Sequence, residues 1–249
     1  MSTVPFEIPV CHPKPMATLF RSAASNITQM NGNEQYMNLK ICEIFKSIQG
    51  ESSYVGLPCV FIRLSGCNLR CRYCDTTYAW SEGNEMSLDE IIDTVLKYKC
   101  DLALVTGGEP LAQTGSRHLI QALLDNQMNT LVETNGTFDI SNLPNQAVRI
   151  VDVKCPGSGE SGSFLMANLK ALKSQDEVKF VITDRNDYEW SRDFLTRHLN
   201  GFSGQVLFSP AFEDQMPSDM ISWILADNLR VRFQLQLHKV IWDPQQRGV

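Results

Sequence analysis

From Leu39 onward, short apolar runs rich in β-branched residues alternate with segments of helical period. The runs cover residues 40–45, 59–64, 102–106, 130–134, 149–153, 177–182, 205–209 and 231–237. Their length and their alternation with helical segments predict strands. The best-defined helix starts at Ser87, where Ser87 and Glu90 have the spacing of a capping box. Leu88, Ile91, Ile92, Val95 and Leu96 then form one apolar stripe. Repeated βα units imply a parallel sheet covered by helices, with chemistry at the C-terminal strand ends. The last run, 231–237, reads as a final strand with Trp242 anchoring the polar residues that follow. Residues 1–36 carry scattered Pro, Ser and Asn without a period and read as a poorly ordered extension, leaving 37–249 as one domain.

Composition narrows the class of partner. With 249 residues and 43% hydrophobic content the chain can bury one sizeable core. A net charge of -6 and a pI near 5.3 argue against a broad nucleic-acid-binding face and for a small-molecule substrate. No apolar run approaches the roughly 18 residues of a membrane span, and the N-terminus lacks a secretory layout, so the expected location is the cytosol. In that compartment thiols stay reduced, and the crowding of three of the eight cysteines into 67–74 needs a chemical explanation.

Those three occupy Gly66-Cys67-Asn68-Leu69-Arg70-Cys71-Arg72-Tyr73-Cys74-Asp75, a C-x3-C-x2-C triplet just after the strand ending at Leu64. Three thiolates on one loop can converge on a soft-metal site. Zinc is the competing reading, but closed zinc sites usually take four ligands and the first histidine after the triplet is His118. A cluster held by three cysteines leaves one iron open to another molecule. At this spacing, with Tyr73 before the third cysteine, the segment resembles the radical S-adenosylmethionine (SAM) superfamily. Thr106-Gly107-Gly108-Glu109-Pro110 resembles that superfamily's Gly-Gly-Glu-Pro motif. Glu133 and Asn135 resemble its polar groups that meet SAM, although Asn135-Gly136 is equally well read as a turn.

The resemblance narrows to the 7-carboxy-7-deazaguanine synthases through four segments. These are Glu43 to Glu51 (EIFKSIQGE), Val60-Phe61-Ile62-Arg63, Cys74-Asp75-Thr76, and Gln236 to Trp242 (QLHKVIW) with Arg247-Gly248-Val249. It implies a partial, modified (β/α) barrel with a mostly parallel sheet and a reduced helix set, and a homodimer. It also implies conversion of 6-carboxy-5,6,7,8-tetrahydropterin to 7-carboxy-7-deazaguanine, with SAM recycled, magnesium required and flavodoxin or ferredoxin as electron donor. Carried onto this sequence, Cys67, Cys71 and Cys74 are expected to hold a 4Fe-4S cluster and Thr76 the magnesium. Tyr73, Gly108, Glu109, Glu133, Asn135, Asp152, Val153, Lys154 and Ser209 are expected at SAM. Ile48, Gln49, Gly50, Arg63, Thr106, His238 and Val249 are expected at the substrate. Asp152 stands where some members have serine.

Arg63 also stands out without the resemblance, as a charge inside the apolar run 59–64. Cys11, Cys42, Cys59, Cys100 and Cys155 read as ordinary thiols, and His118 and His198 as helical residues without a site role. A glycyl-radical activating enzyme would share the cysteine spacing, but Gln49-Gly50-Glu51 and the C-terminal motif speak against it.

Overall fold

The computed structural model describes residues 38–212 and 214–249. Nine strands form one sheet: β1 (Asn38–Ile48), β2 (Pro58–Leu64), β3 (Asn84–Ser87), β4 (Leu102–Gly107), β5 (Asn129–Thr134), β6 (Val148–Asp152), β7 (Glu177–Ile182), β8 (Gln205–Pro210) and β9 (Arg232–Phe233). Their spatial order is β3-β1-β2-β4-β5-β6-β7-β8-β9, with distinct edges, so the sheet is an open, partial barrel. In that spatial order all pairings from β2 to β9 are parallel, and β4 to β9 are each added on the same side, whereas β3 joins the opposite edge beside β1.

Crossover helices are few, in keeping with the reduced set. They are α1 (Leu88–Lys97), α2 (Ser116–Asp125), α3 (Arg185–His198) and α4 (Pro217–Ala226). Only short 3-10 turns lie between β6 and β7. A short α5 (Leu237–Ile241) follows β9. No described helix is long and apolar enough to cross a membrane.

Three expectations are corrected. The first strand is not parallel: β1 pairs antiparallel with both β2 and β3, and β3 was not foreseen because its four residues, Asn84 to Ser87, carry no apolar alternation. The run 231–237 contributes only Arg232–Phe233 to the sheet, because Gln234 turns inward to accept from Ser52 N and Leu237 begins α5. On α1 the capping box is present, and Ile91 and Val95 are buried, but Leu96 lies 44% exposed at the margin of the stripe. The expectation for residues 1–36 falls outside the described residues.

Strand alternation places the site. Odd-numbered positions on β2 and β5 and even-numbered ones on β4 and β6 face the concave side, where Cys59, Phe61, Leu102, Leu104, Leu131, Val148 and Ile150 pack together. The opposite face packs under the helices in the larger core. Two residues further along each strand the concave face turns polar: Phe61 gives way to Arg63, Leu104 to Thr106, Leu131 to Glu133 and Ile150 to Asp152. An apolar layer thus supports a polar floor at the C-terminal strand ends.

Candidate active site

Above that floor lies a cleft of about 510 Å³, within the usual size of small-molecule sites. It is lined by Cys67, Cys71, Tyr73, Cys74 and Thr76 of the cysteine loop, and by Arg63, Thr106, Gly108, Glu133, Asn135, Asp152 and Lys154 at the strand ends. Ile48, Gln49 and Gly50 line it from the end of β1, and His238 and Val249 from the C-terminal segment. Glu109, Val153 and Ser209 do not line it. Glu109 is fully buried behind the wall, where it accepts hydrogen bonds from Leu111 N, Thr134 Oγ1 and Asn135 N. It ties the 107–110 turn to the end of β5. Burial raises its carboxyl pKa against the pull of these bonds.

The cysteine loop is held from several sides. Gly66 N donates to Ala79 O, Arg72 N to Ser158 O, and Arg70 N to Glu160 Oε1. The Arg70 guanidinium lies over the Trp80 ring and donates to Cys67 O. Gly108 lets the second loop approach the first: a Cβ there would meet Gly66 O at 2.3 Å and Cys67 Cβ at 2.7 Å. Burial pushes the Cys71 thiol up to about 11 and also raises Cys74. Iron binding at those sulfurs is therefore coupled to proton release. Among the described residues no three His, Cys, Asp or Glu side chains are gathered closely enough for a single ion, whereas a cluster takes each thiolate on a different iron.

The cleft also contains buried polar atoms without partners: Tyr73 OH, Gln49 Nε2 and Asp152 Oδ1. Such atoms are costly unless another molecule completes them, and together with the three thiols they fit a cluster and a polar cofactor. Ser209 Oγ is buried and unpartnered too, outside the cleft lining.

Arg63 sits on an internal strand. A register shift in β1 between Ile41 and Glu43 brings Glu43 opposite Arg63, and Arg63 Nε donates to Glu43 Oε1 at 2.7 Å. Tyr78 OH donates to the same oxygen at 2.8 Å.

The C-terminal segment forms one wall of the cleft. Leu237 N donates to Gly50 O, Gln236 Nε2 to Glu51 Oε1, and Lys239 Nζ lies 2.7 Å from Asp75 Oδ2. A Cβ on Gly50 would meet His238 Nδ1 at 2.4 Å. The Arg247 guanidinium stacks over Tyr78, 3.6 Å from the ring centroid, and pairs with Glu82. Residues 244–249 therefore lie along the cleft.

Residues 61–154 match the Radical SAM superfamily. The 7-carboxy-7-deazaguanine synthase of Koribacter versatilis is 46% identical over 85% of this chain and its own full length. That of Chlorobaculum tepidum is 43% identical over 85% of this chain and 97% of its own. The chain belongs to the 7-carboxy-7-deazaguanine synthase family. It is a radical SAM enzyme, and its fold is shared with the crystal structure of QueE from Escherichia coli. That structure superimposes with a TM-score of 0.70 at 21% identity, over 82% of this chain and 96% of the other. The family requires a 4Fe-4S cluster and SAM, consistent with the thiols and unpartnered atoms described above.

Lys179 and Tyr78 have no role legible in the sequence, and Glu43, Glu51, Asp75 and Lys239 enter it only as parts of motifs. Lys179 carries the same signal that singled out Arg63, a charge within an apolar run, here Glu177–Ile182. The partners of the others are set only by tertiary contacts.

Proposed function

We propose that this chain converts 6-carboxy-5,6,7,8-tetrahydropterin to 7-carboxy-7-deazaguanine with loss of ammonia. The observation that carries this reading is one cleft lined by three loop thiols, a fixed guanidinium and the segment 244–249. When bound, the cluster and SAM supply the electron and the radical that start the rearrangement. The protein binds, orients and excludes water.

Arg63, held by Glu43, presents fixed donors to the substrate carboxylate. Ile48, Gln49 and Gly50 offer backbone groups to the pterin edge, with Thr106 beside it. His238 packs on Gly50, and Val249, which lines the cleft, lies at the pterin. Thr76 donates to Asp75 Oδ1 at 2.7 Å, so two hard oxygen groups stand together where magnesium binds with the substrate's own oxygens. At SAM we assign Tyr73, Gly108, Asn135, Asp152 and Lys154; Glu133, expected there from the resemblance, instead bonds Lys179 and Thr106 and is assigned to the substrate side. Glu109, Val153 and Ser209 act behind the wall by shaping those loops. The electron donor is flavodoxin or ferredoxin, and the working unit is a cytosolic homodimer.

The test is anaerobic incubation of reduced, reconstituted protein with SAM, magnesium and the carboxypterin. Formation of the deazaguanine acid, detected by mass spectrometry, is expected. Absence of product from protein that holds its cluster and cleaves SAM would refute the assignment. Replacing Cys67, Cys71 or Cys74 with Ala is expected to remove iron, sulfide and product together.

A further inference from the structure

A row of alternating charge crosses the cleft floor. Glu43 accepts from Arg63, and Arg63 is in register with Thr106. Thr106 Oγ1 donates to Glu133 Oε2 at 3.5 Å. Glu133 Oε1 takes a hydrogen bond from Lys179 Nζ, which also lies 2.9 Å from Glu51 Oε2 and 3.6 Å from Asp152 Oδ2. Lys154 closes the row on Asp152 at 2.7 Å.

Lys179 is the hub of this row. It lies mid-strand on β7 with its side chain 6% exposed, and its ammonium donates to Glu51 and Glu133, while Asp152, 3.6 Å away, takes its hydrogen bond from Lys154. A buried ion cluster of this kind is weak evidence for stability, because apolar packing of the same volume does as well. Its partners indicate another purpose. Glu51 accepts from Gln236 on one oxygen and from Lys179 and Gln234 on the other, so Lys179 fixes the carboxylate that joins residues 48–52 to the C-terminal segment. Glu133 has one oxygen bound to Lys179 and turns the other toward Thr106 and the cleft. Arg63 and Thr106, both assigned to the substrate, stand on the same side of Glu133, and the pterin brings several N–H donors.

We propose that Lys179 is a positioning residue that sets Glu133 and Glu51 as the acceptor wall of the pterin subsite. This rests on the carboxypterin reading above. The ammonium reaches no reacting atom; it acts through the two carboxylates.

The experiment compares wild-type holoenzyme with Lys179→Met, similar in length but uncharged, and with Lys179→Arg. Carboxypterin Kd is measured by anaerobic calorimetry alongside SAM Kd, iron content, melting temperature, KM and kcat. Lys179→Met is expected to raise carboxypterin Kd and KM at least roughly tenfold, the scale of one mis-set charge-assisted contact. SAM Kd, iron content and kcat are expected to move less than about threefold, a smaller step than any such contact. Lys179→Arg, which keeps the charge, is expected to recover part of the affinity. A folded Lys179→Met protein with wild-type carboxypterin Kd overturns the proposal, as does equal weakening of SAM and carboxypterin. Failure of both variants to fold makes Lys179 a stability residue and overturns it too. Wild-type enzyme that holds its cluster yet neither binds nor converts the carboxypterin sinks the functional reading itself, and this inference falls with it.

Discussion

Lys239 Nζ lies 2.7 Å from Asp75 Oδ2, so the short helix α5 is bound to the residue that follows the third cysteine. Burial disfavours the charged Asp75 carboxylate, but Lys239 overrules it and holds the group well below the usual carboxylate range. The pair links the C-terminal segment to the cysteine loop. Lys239→Ala is expected to loosen that segment by about 1–2 kcal/mol, the scale of a partly exposed charge-assisted bond. The KM for the carboxypterin should rise roughly five- to thirtyfold on that basis. Iron content should stay at the wild-type level. Limited proteolysis of the tail checks the loosening directly, and an unchanged cleavage rate with unchanged KM would count against the latch.

Gly108→Ala tests the packing of the two loops. Its Cβ would fall 2.3 Å from the backbone oxygen of Gly66, a contact that no side-chain rotation relieves. The cysteine loop has to shift, with an expected destabilisation of about 1–3 kcal/mol as for overpacked cores. Iron retained after reconstitution is expected to fall and SAM affinity to weaken. Wild-type values for both would show that the loop yields without consequence.

Thr76→Ala is expected to raise the magnesium concentration needed for half-maximal turnover, while SAM cleavage without substrate changes little. Overlapping magnesium titrations of variant and wild type would remove Thr76 from the metal site.

Deleting residues 247–249 removes the Arg247 contacts with Tyr78 and Glu82 and takes Val249 from the cleft lining. The expected result is a raised KM or no turnover, with cluster content and SAM binding intact. Wild-type kinetics from the truncated chain would show that the tail is not part of the site.

The Glu51 carboxyl supplies a pH signature. Burial alone would raise it, but Lys179 and then His238 bring it down to about 2. A carboxyl depressed in the folded state adds stability above its unfolded value of about 4.3 and loses it as pH falls toward the folded value. The melting-temperature advantage of wild type over Glu51→Gln should therefore be full at neutral pH, shrink below about pH 4.3 and be nearly gone near pH 2. A difference that stays constant over that range would show that Glu51 is not held by charge.

Much of this protein is determined by local pattern. Seven of the eight apolar runs correspond to full strands; six of these pair in parallel, and parallel strands buried on both faces are written as near-continuous apolar segments. The cysteine triplet and the Gly-Gly turn are equally local, since each is a set of groups brought together by a few consecutive residues. Glu109 shows the limit of such motifs: its position was legible, but its burial behind the wall follows from Thr134 and Asn135, which reach it from another strand. The direction of β1 was not legible either, because a strand's apolar period is the same whichever way its partner runs. Nor was the ring of Glu51, Glu133 and Asp152 around Lys179, whose members lie 128, 46 and 27 residues from it. Charges so far apart in sequence become neighbours only when the sheet sets its strands side by side. At that point desolvation obliges each ion to find a partner, and the tertiary structure decides which one.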